Sequence, residues 1–159
     1  MAASSIPASR PPDVYRIDFS QRHPTARFNE ARLRRAIEIV LADSNYAEAT
    51  ISVAIVDDDE IQVVNRRFLE HDYATDVISF VLDADETSLD GEVVVSADTA
   101  ARIAARLEWS VDDELLLYVV HGTLHLIGYD DLDPDSLREM RAQERVVLQR
   151  LGITARYEE

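Results

Sequence analysis

The sequence has the length and composition of one globular domain. Its 159 residues, 47% of them hydrophobic, suffice for one buried core and are too few for two ordinary domains. It contains no cysteine, which excludes disulfides, thiolate metal sites and cysteine nucleophiles. The formal net charge of -15 disfavours general binding to nucleic acid, because it repels a polyanion at long range. All 16 basic residues are arginine, whose guanidinium group suits phosphate, so a local RNA-binding patch stays compatible with this charge.

The chain order of strands and helices predicts a mixed sheet with helices around it. Residues 1–12 are small, polar and proline-bearing, which predicts a flexible leader and not a signal peptide, and we expect a cytoplasmic protein. Alternating and helical hydrophobic spacing then predicts strands at 14–19, 50–56, 77–82 and 92–95, and helices at 28–42, 97–107, 111–127 and 134–151. A further helix is predicted to follow a cap at Asp57 or Asp58 and to end near Leu69. These elements predict one α+β domain over residues 13–159, with a central four-stranded mixed sheet and about five helices. The strand order stays open.

Two histidines one helical turn apart form the strongest candidate site. His121 and His125 leave the same face of the predicted helix 111–127, and two imidazoles at that spacing can bind one metal ion. Gly128 follows the second histidine by three residues and permits a chain reversal that returns Asp131 toward them. The sequence therefore predicts a metal site of His121, His125 and Asp131 at the end of a buried helix. There are two alternatives. The spacing of the two histidines arises by chance, or Asp131 only forms the turn and Asp130 or Asp133 is the ligand.

The same spacing occurs in the metzincin proteases, which bind zinc through two histidines on a helix and a third ligand after a glycine turn. Those enzymes carry a glutamate beside the first histidine as general base. Gly122 occupies that position here. A peptidase function would therefore lack its catalytic group.

Four parts of the chain together carry a family resemblance. They are Asn65, DYATDVISF over residues 72–80, DGEVVVS over 90–96 and, above all, HGTLHLIGYDD over 121–131. These motifs resemble the YbeY family of single-strand-specific endoribonucleases, which mature the 3′ end of 16S rRNA and take part in ribosome quality control. The resemblance implies one zinc ion as cofactor, single-stranded rRNA as substrate and association with the small ribosomal subunit, with neither DNA nor a membrane as partner. The favoured mechanism is attack on the phosphodiester by metal-activated water, without an identified protein base. Attack by the RNA 2′-hydroxyl is the alternative.

Two positions depart from the family pattern. The family usually has a third histidine where this chain has Asp131, and an arginine where it has Leu69. Aspartate can bind zinc, but its negative charge should raise the pKa of bound water relative to a three-histidine site, so another divalent metal remains open. Loss of the arginine removes a candidate clamp for the scissile phosphate, a role that Arg66, Arg67 or His71 could take over.

The resemblance also implies substrate or supporting contacts beside the metal from Thr75, Asp76, Ser79 and Glu92, although polar strand entry explains the first three equally well. Glu92, where the family usually has aspartate, would either orient a ligand histidine or lie on a ribosome-facing side. A rival function is a non-catalytic assembly factor of the small ribosomal subunit, in which the metal is structural. That function predicts a closed site with four protein ligands, whereas a catalytic site keeps one position open.

Overall fold

The computed structural model describes residues 14–158, and these residues form a four-stranded sheet and five helices. The elements in chain order are β1 (Val14–Gln21), α1 (Glu30–Ala42), β2 (Glu48–Val56), α2 (Asp58–Leu69), β3 (Val77–Ala84), β4 (Ser88–Ser96), α3 (Ala97–Leu107), α4 (Val111–Leu126) and α5 (Pro134–Arg150). The predicted α+β class with a central mixed sheet is confirmed. The leader predicted over residues 1–12 lies outside the described residues.

The sheet has the strand order β1-β2-β4-β3. β1 pairs with β2 and β2 with β4 in parallel, because α1 and then α2 with β3 supply the long connections that parallel strands require. β3 and β4 form an antiparallel hairpin in which Asp83 pairs with Asp90 and Ala84 with Leu89. Residues 83–91, which lie between the two predicted strands, are therefore mostly strand, and β4 is longer than the predicted residues 92–95. The backbone of β4 pairs with β3 whatever the polarity of its side chains, and Leu89 of β4 is buried in the core.

The two faces of the sheet are covered unequally. Helices α1 and α4 pack on one face, where Ile51, Val53 and Val93 belong to the main core, and α5 packs on these two helices. On the other face α2 contributes Ile61 to a smaller cluster with Val94 and three further apolar residues. Residues that alternate along one strand therefore point either toward α4 or toward α2, and only the α4 side leads to the histidines.

Helix α4 lies in the middle of the domain and is apolar nearly all round. It approaches the sheet closely at Gly122, where an added Cβ would lie 2.7 Å from Val93 Cγ1 and 2.9 Å from Ser79 Oγ. Ser79 Oγ donates a hydrogen bond of 2.9 Å to the carbonyl of Gly122, which fastens the helix to β3. Within residues 14–158, no helix is both long and apolar enough to cross a membrane.

Candidate metal centre

The end of α4 turns the chain back toward the histidine face. Gly128 has a φ of 110°, which L-residues rarely adopt. Its N–H donates to the carbonyl of His125 at 3.1 Å, and the N–H of Tyr129 donates to the carbonyl of Leu124 at 3.0 Å. This pair of bonds is the Schellman motif, which closes a helix around a left-handed residue. The reversal carries Asp131 beside the two histidines.

Three potential ligand side chains meet at this point. His121 Nε2 and His125 Nε2 are 3.1 Å apart. Asp131 Oδ2 lies 3.3 Å from His121 Nε2, and Asp131 Oδ1 lies 3.4 Å from His125 Nε2. The three residues form a group whose ligand atoms all lie within 4.8 Å of one another. The structure thus brings together the three residues that the sequence predicts as ligands.

The outer ring nitrogens of both histidines have acceptors that fix the tautomers. His125 Nδ1 lies 3.0 Å from the carbonyl oxygen of Tyr129, which can only accept, so this nitrogen carries the proton. His121 Nδ1 lies 2.9 Å from the carboxylate oxygen Oε2 of Glu144 and donates to it. Both Nε2 lone pairs then face the same space as the Asp131 carboxylate. A cation resolves the resulting repulsion, and this pattern of outer hydrogen bonds is typical of metal-binding histidines.

The spacing of the ligand atoms also fits a metal ion. Zinc–nitrogen bonds of about 2.05 Å in tetrahedral geometry place two ligand atoms about 3.3 Å apart. The 3.1 Å between the two Nε2 atoms agrees with that spacing, as do 3.3 Å from His121 Nε2 to Asp131 Oδ2 and 3.4 Å from His125 Nε2 to Asp131 Oδ1, so the two imidazoles approach different oxygens of the carboxylate. Among the described residues this group supplies three ligands, which leaves a fourth position for water or substrate.

The side chains of Asp130 and Asp133, the alternative ligands, accept hydrogen bonds from nearby backbone N–H groups. Asp130 Oδ1 accepts hydrogen bonds from the N–H groups of Asp131 at 2.6 Å and of Leu132 at 3.0 Å. Asp133 caps α5 by accepting from the N–H of Ser136 at 2.8 Å. Asp131 is accordingly the aspartate of this loop that faces the histidines.

Glu144 supports the site from α5 and was not predicted from the sequence. Its side chain is fully buried and accepts hydrogen bonds from Arg141 Nη1 at 2.7 Å and from the Tyr157 hydroxyl at 3.0 Å, besides the bond from His121. Burial raises the pKa of Glu144, but the hydrogen bond from His121 and the charge and hydrogen bond of Arg141 outweigh it and leave the pKa lowered. In α5, Glu144 lies at helical spacing from the apolar residues Met140 and Val147, on the buried face of the helix. This pattern could have indicated that Glu144 is buried and needs a hydrogen-bond partner.

A cleft of about 390 Å³ opens beside the ligands. It is lined by His121 and Asp131 together with residues from β3 and its preceding loop, α3, α4, α5 and the C-terminal segment, among them Thr75, Asp76, Arg102, Glu114, Tyr118, Arg141, Arg156, Tyr157 and Glu158. Asp76 accepts hydrogen bonds from Val77 N–H at 2.8 Å and Thr75 Oγ1 at 3.3 Å. Thr75 and Asp76 therefore lie at the cleft, as the family resemblance implied.

The other predicted contacts lie elsewhere. Ser79 holds the backbone of Gly122 and supports α4, and it is not among the residues that line the cleft. Arg66 lies on α2, on the opposite side of the sheet, where it is exposed and 3.8 Å from Asp72. Glu92 points to that same side, near Val94 and Phe80. The structure therefore does not bring Arg66 and Glu92 to the cleft, because alternation along β4 directs Glu92 away from α4 and the packing of α2 carries Arg66 with it.

The fold and the site define a class of protein. It is a single-domain α+β protein that can hold a metal ion between two histidines of a buried helix and a carboxylate just after that helix, beside an open cleft. The family model described as "Endoribonuclease YbeY" matches residues 16–152. This chain belongs to the YbeY endoribonuclease family.

Several relatives carry the same name, Endoribonuclease YbeY. The relative from Salinibacter ruber is 36% identical and covers 77% of this chain and 83% of its own length. The relative from Cellvibrio japonicus is 37% identical over 91% of this chain and 84% of its own. The one from Rhodopirellula baltica is 44% identical over 65% of this chain, which spans 55% of that protein. A solution structure of a Thermotoga maritima protein has the same fold, with a TM-score of 0.54 and 21% identity over 87% of this chain and 92% of that one.

Proposed function

We propose that this chain is a metal-dependent endoribonuclease that cuts single-stranded RNA in the cleft beside His121, His125 and Asp131. The observation that carries this proposal is the convergence of two imidazole nitrogens and one carboxylate, with 3.1 to 3.4 Å between neighbouring atoms, at the edge of that cleft. Membership of the YbeY family supports RNA as the substrate.

His121, His125 and Asp131 would hold the metal ion, and zinc is the ion we propose because two imidazoles and one carboxylate lie within its usual donor set. Asp131 leaves other divalent ions in competition with zinc. A divalent cation bound there supplies Lewis-acid stabilisation of the phosphodiester and acidifies water at the site. Glu144 and the carbonyl of Tyr129 hold the two imidazoles in the tautomer that presents Nε2.

The size of the cleft supports an unpaired strand as substrate. About 390 Å³ lies at the lower end of the range for small-molecule sites and can take roughly one nucleotide. Single strands offer nucleotides that can be splayed out and bound separately, whereas a duplex offers its outer surface. Thr75 and Asp76 would contact such a nucleotide from the loop before β3.

We further propose 16S rRNA at its 3′ end as the substrate, with the small ribosomal subunit as partner and the cytoplasm as location. The net charge of -15 supports delivery by specific contacts, because long-range attraction between this protein and RNA is unfavourable. The rival function, an assembly factor with a structural metal, calls for four protein ligands. The candidate group within residues 14–158 has three, which favours the enzyme.

The decisive variant is His121→Ala, with Asp135→Ala, at an exposed position of α5, as control. We expect His121→Ala to lose both metal binding and cleavage of a short single-stranded RNA, while Asp135→Ala keeps both. Cleavage by metal-free His121→Ala protein would refute the proposal. Analysis of the product ends, as a cyclic phosphate or as a simple phosphate, distinguishes attack by the 2′-hydroxyl from attack by water.

A further inference from the structure

We infer that Arg141 is the residue that contacts the phosphate group of RNA bound in the metal cleft. This inference rests on the proposed function, because it names the group with which that cleft holds its substrate. Nothing in the sequence pattern singles out Arg141, which lies on α5, 16 positions beyond the second histidine. Its importance follows from where the fold places it.

The cleft needs a cation because its wall is rich in carboxylates. Asp76, Glu114, Asp131 and Glu158 all line it. A phosphodiester that approaches Asp131 meets like charge in a partly enclosed site, where the repulsion is screened less than in open water. A positive group inside the cleft, beyond the metal itself, would offset this repulsion.

Arg141 stands next to the ligand set. Its Nη1 donates to Glu144 Oε1 at 2.7 Å, and the other oxygen of the same carboxylate accepts from the ligand histidine His121 at 2.9 Å. A single carboxylate thus separates the guanidinium from the metal ligand. The Arg141 side chain is 34% exposed and lines the cleft.

The Arg141 side chain is also held in place before any substrate arrives. Its guanidinium carbon lies 4.2 Å from the centre of the Tyr157 ring, in a cation–π contact. The Tyr157 hydroxyl bonds to Glu144 and fixes the ring beneath it. A guanidinium has five N–H donors, so its bond through Nη1 leaves donors for a phosphate oxygen. A pre-positioned arginine loses little side-chain entropy when it binds phosphate.

The two other arginines that line the cleft bind parts of the fold away from the ligand residues. Arg102 donates to Asp58 Oδ2 at 2.6 Å and to Thr99 Oγ1 at 3.1 Å, which ties α3 to α2. Arg156 Nη1 donates to the carbonyls of residues 107 and 108, both at 2.8 Å, and thereby anchors the C-terminal segment on the end of α3. Neither contacts Glu144 or a ligand in the described part of the chain. Arg141 is therefore the arginine best placed for phosphate.

The test compares Arg141→Gln and Arg141→Lys with Arg138→Gln, which alters an exposed arginine on the same helix that pairs with Asp135. A fluorescent 2′-O-methyl, phosphorothioate-linked single strand, which resists cleavage, is titrated with zinc-loaded protein at several salt concentrations. We expect Arg141→Gln to weaken binding about 10-fold, as loss of one charge-assisted hydrogen bond does. The slope of log affinity against log salt should fall by about 0.7, the value for one phosphate contact on a single strand. Arg141→Lys should keep the slope, and Arg138→Gln should match wild type.

Because Arg141 also touches Glu144, zinc affinity is measured on each variant by chelator competition, and RNA binding is repeated with metal removed. A binding defect of Arg141→Gln that persists without metal supports the phosphate contact. The phosphate contact is overturned if Arg141→Gln leaves the RNA affinity and the salt slope unchanged. It is also overturned if the binding defect disappears when wild type and variant are compared without metal. If wild type cleaves RNA and Arg141→Gln binds normally, the phosphate contact alone is refuted, whereas a wild type that neither binds nor cleaves contradicts the proposed function as well.

Discussion

Replacing Glu114 with glutamine should stabilise the protein above neutral pH. Glu114 is 2% exposed and accepts a hydrogen bond of 2.9 Å from Trp109 Nε1. Burial raises its pKa from 4.5 to about 7, against the opposing hydrogen bonds from Trp109 and Tyr118 and with smaller contributions from the charges of Asp76 and Glu158. Above that pH the fold therefore holds a buried, ionised carboxylate on α4.

The sign of the effect follows from the two protonation states. The unfolded chain loses the Glu114 proton near pH 4.5, while the folded chain keeps it until about pH 7. The stability that this preference contributes is complete below pH 4.5 and is lost as the pH rises through 7. At 1.36 kcal/mol per pKa unit, the loss is about 3 kcal/mol as an upper value. Glutamine stays neutral throughout and can still accept the Trp109 bond, so the variant avoids this loss.

The assay is urea denaturation of wild type and Glu114→Gln between about pH 5 and about pH 8.5, with chelator present so that metal binding does not contribute. We expect nearly equal free energies of unfolding at the acidic end and a variant more stable by about 1–3 kcal/mol at the alkaline end. Glu139→Gln, at an exposed position of α5, should leave the pH dependence of wild type unchanged. A constant difference between Glu114→Gln and wild type across this range would refute the reasoning.

Two further variants test the supports of the metal centre. Glu144→Gln should lower metal affinity about 10-fold to 100-fold, because the amide is a weaker acceptor for His121 Nδ1. Chelator competition measures this affinity, and a variant that binds metal as tightly as wild type would contradict the role assigned to Glu144. Gly122→Ala should destabilise the fold by about 1–3 kcal/mol, because the added methyl group would lie 2.7 Å from Val93 Cγ1, and an unchanged urea midpoint would show that the helix can move away from the sheet at little cost.

The part of the site that sequence reasoning could predict is local. His121 and His125 share a helix, and the turn at Gly128 brings Asp131 back within a few residues, so helical periodicity and the conformational freedom of glycine suffice. Glu144 reaches the same site from another helix. Its position depends on how α5 packs against α4, which no short-range pattern encodes.

Sheet pairing limited the fold prediction in the same way. The strand order β1-β2-β4-β3 depends on contacts between segments that are distant in sequence, while the hydrophobic pattern of each strand is compatible with several neighbours. The same limit affects the site prediction for Glu92. Alternation along β4 predicts which residues share a face with Glu92, but it does not predict which of the two faces meets α4. The hairpin through Asp83 and Asp90 was missed because acidic side chains obscure a strand that is held by backbone bonds.

The most direct test of the metal centre is elemental analysis of the purified protein beside its Asp131→Ala variant, with cleavage of a short single-stranded RNA measured on both. Asp135→Ala, at an exposed position at the start of α5, is the matched control. The account predicts one metal ion per chain and cleavage in wild type and in the control, and the loss of both in Asp131→Ala. Full metal content and cleavage in Asp131→Ala would contradict the His121, His125 and Asp131 site, and metal without cleavage in wild type would favour the assembly factor over the enzyme.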